Sequence, residues 1–379
     1  MKLNGIKTDV NMKKADQARV PFSSNNIQLS GREWIIAAII CSALLCLGPG
    51  LWGRLEKFDP GVDYRLPYEL GNDYWLYGRY CRWACSKYDT LVVGDSVVWG
   101  HYVSSDNTLS HYLNQNAGKE CFANLGVDGF HPAALGGLLR YYGRNISGKN
   151  VIIQFNPLWM ISAKHDLQTE KEHHFNHPKL VPQFFPEIPC YKDSFSKRFS
   201  AAVERYMPFF SWTSHLRIVY FENMALPNWT LEYPYQNPMS AVTLNIPAPN
   251  DDLQENVSWA EKGIAQEDFQ WIEPAQSLQW RFFRQTVDLL RARKNTVFVV
   301  VGPFNEHMLK PDGYKIYQKM KSEIEAWLRQ NNVAYCIPSV LPSELYRDAS
   351  HPLGRGYAML AKQLFENESF KSTILNEGD

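Results

Sequence analysis

Ser96 in VVGDSVVWG, the glycine-bearing NLGVDG ending at Gly129, and Asp348 with His351 in DASHP are the residues best suited to chemistry. A serine hydroxyl is a poor nucleophile until a base takes its proton. Histidine is the usual base, and a carboxylate fixes its tautomer. Asp and His three apart on a tight turn present carboxylate and imidazole side by side. Ser96 is therefore expected as the nucleophile, His351 as its base and Asp348 as the group that orients the imidazole. The tetrahedral oxyanion then needs donors, typically backbone N–H groups on glycine-permissive turns and a side-chain amide. The N–H groups of Ser96 and Gly129 fit the first requirement, and the loop Asn156-Pro-Leu-Trp159 offers the second. The nucleophile elbow G-x-S-x-G is absent around Ser96, which argues against an ordinary α/β-hydrolase.

These residues need a scaffold that brings distant loops to one rim. Tyr88–Val93, Glu120–Asn124, Asn150–Phe155, Thr296–Val301 and Ala334–Ile337 read as short buried strands. Helical stretches alternate with them: Thr108–Asn116, Pro132–Tyr142, Gln279–Lys294, Gly313–Gln330 and Gly354–Glu366. Such alternation predicts an α/β fold, a parallel sheet covered on both faces. Reactive groups then gather beyond the carboxyl ends of the strands, where all the residues above fall. His165 to Ala275 breaks the rhythm with Pro and aromatics, and an irregular stretch of that length is expected as an inserted cap.

In those blocks the chain resembles the SGNH/GDSL hydrolase superfamily. VVGDSVVWG is similar to its first block, NLGVDG to its second and DASHP to its last. The resemblance implies a three-layer, flavodoxin-like sheet of about five strands, Ser96, Asp348 and His351 as catalytic residues, Gly129 as the oxyanion glycine, and no cofactor. The third block, usually G-x-N-D, departs. If the third strand stops at Ile153, Asn156 lies over the amide position; if it runs through Phe155, Leu158 falls there. Asn156 is taken as the donor, with Asn305 in GPFNEH as the alternative. A similar third block with Pro and Trp occurs in the membrane-anchored D-alanyl transfer protein of teichoic acid synthesis, and alginate acetylation proteins are another exported branch. These likenesses favour O-acylation of an envelope or exported polysaccharide, with an acyl donor, a carbohydrate acceptor and an integral membrane acyltransferase as partners. A deacetylating hydrolase of the same fold is the alternative, and a catalytically degenerate scaffold or glycan-binding protein the alternative of another class.

Twenty residues without a charge, 34–53, separate Glu33 from Arg54, with Trp34 and Trp52 near the ends. That length suits one membrane span with interfacial aromatics. The positive excess on the N-terminal side places residues 1–33 in the cytoplasm as a tail and exports the chain beyond the span. The remaining division is a stalk at 54–87, a catalytic domain at 88–160 and 276–370, and the insertion at 161–275.

Lys+Arg and Asp+Glu number 39 each over 379 residues, and this balance gives no basic surplus for a nucleic acid. Seven cysteines form no paired framework, and the five outside the 34–53 stretch are expected to be structural. His101 is expected to be structural, with a place beside the site as its alternative. Asp95 is expected to steady the serine loop, and the cluster His165, Asp166, His173, His174 and His177 to be an exposed loop rather than a metal site. Asn145, Asn228, Asn256 and Asn367 stand in glycosylation sequons that matter only where that machinery exists.

Overall fold

The computed structural model describes residues 29–248 and 257–375. Most of the expected cytoplasmic tail and the Asn256 sequon lie outside them. The chain divides into two compact units, Met1–Gly48 and Pro49–Asp379. Helix α1, Gly31–Leu55, begins with a capping box: Ser30 N–H donates to Glu33 Oε2 at 2.7 Å, and Glu33 N–H donates to Ser30 Oγ at 3.4 Å. The uncharged 34–53 stretch lies inside this helix. Its 25 residues are long and apolar enough to cross a membrane, since such a helix rises about 37 Å and a hydrocarbon core is about 30 Å thick.

The segment expected as a stalk is instead part of the core. Helix α2, Tyr74–Lys87, starts where Asp73 Oδ1 accepts from Leu76 N–H. It buries Leu76, Tyr77, Tyr80, Cys81 and Ala84 against the sheet, with Leu66 and Leu70 ahead of it. The abundance of Tyr and Trp that makes this segment look irregular in sequence is what fills the layer. Tyr80, for example, donates from its hydroxyl to the carbonyls of Tyr64 and Asn124.

Strand β1, Thr90–Val93, runs into the four-residue helix α3, Ser96–Trp99, and then α4, Leu109–Ala117. Strand β2, Phe122–Asn124, leads to α5, Pro132–Tyr141, and β3 spans Asn150–Phe155. Within the insertion lie α6, Phe195–Tyr206, α7, Pro208–Tyr220, α8, Leu226–Glu232, and α9, Pro238–Ala241. The rhythm resumes with α10, Leu278–Ala292, β4, Thr296–Val301, α11, Pro311–Gln330, β5, Ala334–Cys336, and α12, Gly354–Glu366.

All strand pairs are parallel, in the order β2-β1-β3-β4-β5. Alternation splits the strands between two cores. Leu91, Val93, Val151, Ile153, Val297 and Val299 face the layer containing α2, α5, α10 and α11. Val92, Ile152, Phe298 and Val300 face Leu109 and Leu113 of α4 and Leu360 and Leu364 of α12. This is the α/β, three-layer arrangement expected. The strand order reverses between β1 and β3, the topological switch point at which doubly wound folds place ligands.

The insertion folds onto the unit rather than standing apart as a loop. Arg205 of α6, nearly buried, donates to the carbonyls of Lys179 and Val181. His215 of α7 is fully buried between two carboxylates, its Nδ1 2.5 Å from Asp73 and its Nε2 2.8 Å from Glu56. Burial opposes its charge, but the two acids outweigh burial and lift its pKa to about 9. Tyr220 and Arg79 also donate to Glu56, at 2.6 Å each. This knot ties α7 to α2 and to the residue that follows α1.

Candidate active site

The loop after β1 is shaped by close approach. A Cβ on Gly94 would lie 2.5 Å from Val98 Cγ2 and 3.0 Å from Gln154 Oε1. Asp95, not Ser96, caps α3: its Oδ1 accepts from Val97 N–H at 2.9 Å. Its other oxygen accepts from Asn156 Nδ2 at 2.9 Å and from Trp159 Nε1 at 3.0 Å. Burial raises the Asp95 pKa against the pull of these three donors. Asp95 thus clamps the β1 loop to the β3 loop across the switch point, the steadying role expected of it. Ser96 is left as the first residue of α3 with its hydroxyl free of capping duty.

The DASHP turn closes on itself. Asp348 Oδ1 accepts from the backbone N–H groups of Ser350 and His351 at 2.9 and 3.0 Å. His351 Nδ1 lies 2.8 Å from both carboxylate oxygens. The far nitrogen, Nε2, lies 2.8 Å from Ser96 Oγ, so the hydroxyl donates to Nε2 when Nδ1–H donates to Asp348. Residues 96 and 351, 255 positions apart in the chain, meet here. Burial depresses the His351 pKa, but the hydrogen bond and charge of Asp348, with Asp95 and Asp128, leave it above the ordinary 6.5. For Asp348, burial raises and its donors lower, and the donors prevail.

Gly129 takes φ +72°, and a Cβ there would meet Asn176 Nδ2 at 2.6 Å. Asn176 donates to the Gly129 carbonyl at 3.3 Å, which fixes the peptide. Among the described residues the N–H groups of Ser96 and Gly129 make no hydrogen bond. β3 runs through Phe155, so the block alignment puts Leu158, which has no side-chain amide, at the expected amide position, and Asn156 follows the strand directly. Its side-chain carbonyl accepts from Leu158 N–H at 3.0 Å, and one amide hydrogen goes to Asp95. An amide nitrogen carries a second hydrogen. Asn305, the alternative, is fully buried and donates to the Asp348 carbonyl at 3.1 Å, while its own N–H donates to the Ala349 carbonyl at 2.8 Å. It braces the DASHP turn.

His101 lies beside the site: its ring is 5.3 Å from that of His351, and its Nδ1 is 2.6 Å from Asp128 Oδ1. Sequence reading misses Tyr102, whose ring stands edge-on to His351 at 5.5 Å and carries the Arg347 guanidinium at 5.1 Å. Nothing in the sequence marks it, since its φ of +71° comes from the turn after α3. Asn124, which opens the NLGVDG block without a role assigned to it, donates from its amide to the Val98 carbonyl at 2.9 Å and accepts from Gly126 N–H.

The histidine cluster is only partly the exposed loop expected. Asp166 is fully buried and caps α10, accepting from the N–H groups of Leu278 and Gln279. His177 is buried on Phe130, and burial lowers its pKa to about 3. His165, His173 and His174 line a cavity of about 170 Å³ with His131, Trp159, Lys164, Phe175 and Asn176. Trp159 donates to Asp95 and Asn176 to the Gly129 carbonyl, so the cavity adjoins the loops that carry Ser96 and Gly129.

No family model matches the chain, and no curated protein matches it. Among solved structures the chain is similar to a protein from Desulfitobacterium hafniense DCB-2 described as lipolytic and of the G-D-S-L family. That likeness has 9% identity and a TM-score of 0.33, covering 73% of this chain and 97% of the other.

Proposed function

We propose that this chain is a membrane-anchored serine acyl-transfer enzyme, with residues 1–33 in the cytoplasm and the catalytic domain outside. The observation that carries the reading is the unbroken 2.8 Å relay from Ser96 Oγ through His351 to Asp348. Ser96 Oγ attacks an ester or thioester carbonyl while His351 Nε2 takes its proton. The oxyanion is held by the N–H groups of Ser96 and Gly129 and the second amide hydrogen of Asn156. Collapse expels the alcohol or thiol, protonated by His351, and leaves an acyl-serine. A second hydroxyl, deprotonated by the same imidazole, releases the acyl group and restores Ser96.

A carbohydrate hydroxyl is the acceptor the surroundings favour. The adjoining cavity combines the aromatic rings of Trp159 and Phe175 with imidazoles, and burial holds His131 at a pKa of about 4. The neutral His131 imidazole and the aromatic faces suit a polyhydroxylated ring better than a long alkyl chain. An integral membrane acyltransferase is the partner that would supply an activated donor, and neither step calls for a cofactor. The test compares acyl release into water with transfer to added oligosaccharides drawn from the producing cell's envelope. Transfer that outcompetes hydrolysis supports the reading; water as the invariable acceptor makes the protein a polysaccharide deacetylase or plain esterase.

Asn156 and Asn305 are separable by kinetics. Asn156→Ala should lower kcat by about 10²-fold through loss of an oxyanion donor, with the pH profile in place. Asn305→Ala should displace the pH profile, because it loosens the turn that sets the Asp348–His351 pair. An Asn156→Ala rate equal to wild type would remove that amide from the mechanism.

A further inference from the structure

The root of α1 is embedded in aromatic contacts of the 49–379 unit. The Trp52 ring lies 5.9 Å from Trp212 and 6.0 Å from Tyr220 of α7, and its Nε1–H donates to Glu56 at 3.1 Å. Lys57 N–H donates to the Leu244 carbonyl at 3.0 Å, so the segment after α9 flanks the same root. Between Glu222 and Asp251 the chain carries one charge, Glu232. Trp229 of α8 turns inward, its ring 5.4 Å from Phe221 and 4.9 Å from Tyr233. Among polar neighbours such as Asn228, Gln236 and Asn237, large apolar side chains point outward: Leu231 is 80% exposed, Tyr235 100% and Met239 75%, with Leu55 at the root 64%. Large apolar side chains left in water along one short stretch point to an interaction site.

We propose that α8, α9 and their connecting loops seat in the headgroup layer of a lipid bilayer. The proposal rests on the reading that α1 spans that bilayer. Continuity identifies the occupant, because Trp52 stands at the end of the expected 34–53 span and packs on α7, which leads through Phe221 to Trp229 of α8. Composition agrees, since tyrosine and tryptophan beside aliphatic side chains are the interfacial set. With a single charge in the stretch, the attraction is apolar burial and needs no anionic lipid.

The test uses the full chain reconstituted in vesicles of phosphatidylcholine alone. The photo-crosslinking residue p-benzoylphenylalanine replaces Leu231, Tyr235 or Met239 in turn, Leu44 within α1, or Tyr314 on α11. Irradiation should yield lipid adducts at Leu231, Tyr235 and Met239 as at Leu44, and none at Tyr314. Adducts at Leu44 without adducts at the other three would overturn the proposal and leave the spanning helix standing. No adduct at Leu44 would remove the spanning reading and the proposal with it. Crosslinks from the three positions to a second copy of the chain, in place of lipid, would also overturn it.

Discussion

Ser96→Ala is expected to eliminate covalent labelling by a fluorophosphonate and to lower turnover of an activated ester by about 10⁶-fold, about 8 kcal/mol in the barrier. The size follows from what the hydroxyl does in the structure. Among the described residues its one hydrogen bond is to His351 Nε2, so on the proposed mechanism the substitution removes the nucleophile and strips the imidazole of the group it would activate. The fold should be undisturbed, because the cap of α3 is supplied by Asp95 and the loop is clamped by Asn156 and Trp159. Circular dichroism and melting temperature equal to wild type would show this. A wild-type protein that resists the reagent under all conditions would favour a scaffold or glycan-binding role. Labelling that persists in Ser96→Ala would direct the search to another nucleophile.

The sequence shows some elements to the residue, and physical reasons separate these from the rest. β3 and β4 are runs of β-branched and aromatic residues buried on both faces, with strong local preference for strand. α12 has an apolar stripe ended by Asn367, and its span agrees with the sequence reading. α2 escapes notice because its buried face is built from tyrosine and cysteine. α6 and α7 escape it because Arg205 and His215 occupy core-facing positions. Their partners, the Lys179 and Val181 carbonyls for one and Asp73 and Glu56 for the other, are far enough away in sequence that local patterning cannot register them. The Asp348–His351 pair is legible because both residues sit in one turn whose backbone bonds are set locally. The supports of Asp95, by contrast, come from the β3 loop 61 and 64 positions away. Only the folded switch point brings them together.

Asp348→Asn is expected to lower kcat by about 10⁴-fold while leaving the turn in place. The substituted side chain keeps an oxygen that can accept from the Ser350 and His351 N–H groups, so the loop survives. What it loses is the charge facing Nδ1. With the acid present, Nδ1–H is held toward Asp348 and Nε2 is free to accept from Ser96; an amide can hold the opposite tautomer equally well. The same charge raises the His351 pKa over the depression caused by burial. The base must be unprotonated to act, so wild-type kcat/KM should rise with pH through a midpoint above 6.5. In Asp348→Asn the ring stays buried and the strongest influence opposing that burial is gone, so the midpoint should move to lower pH while the plateau falls. Asp95 and Asp128 still face the imidazole and limit the displacement. A plateau that falls with an unmoved midpoint would mean that Asp348 orients the ring without setting its proton affinity. An unchanged plateau would remove Asp348 from the triad.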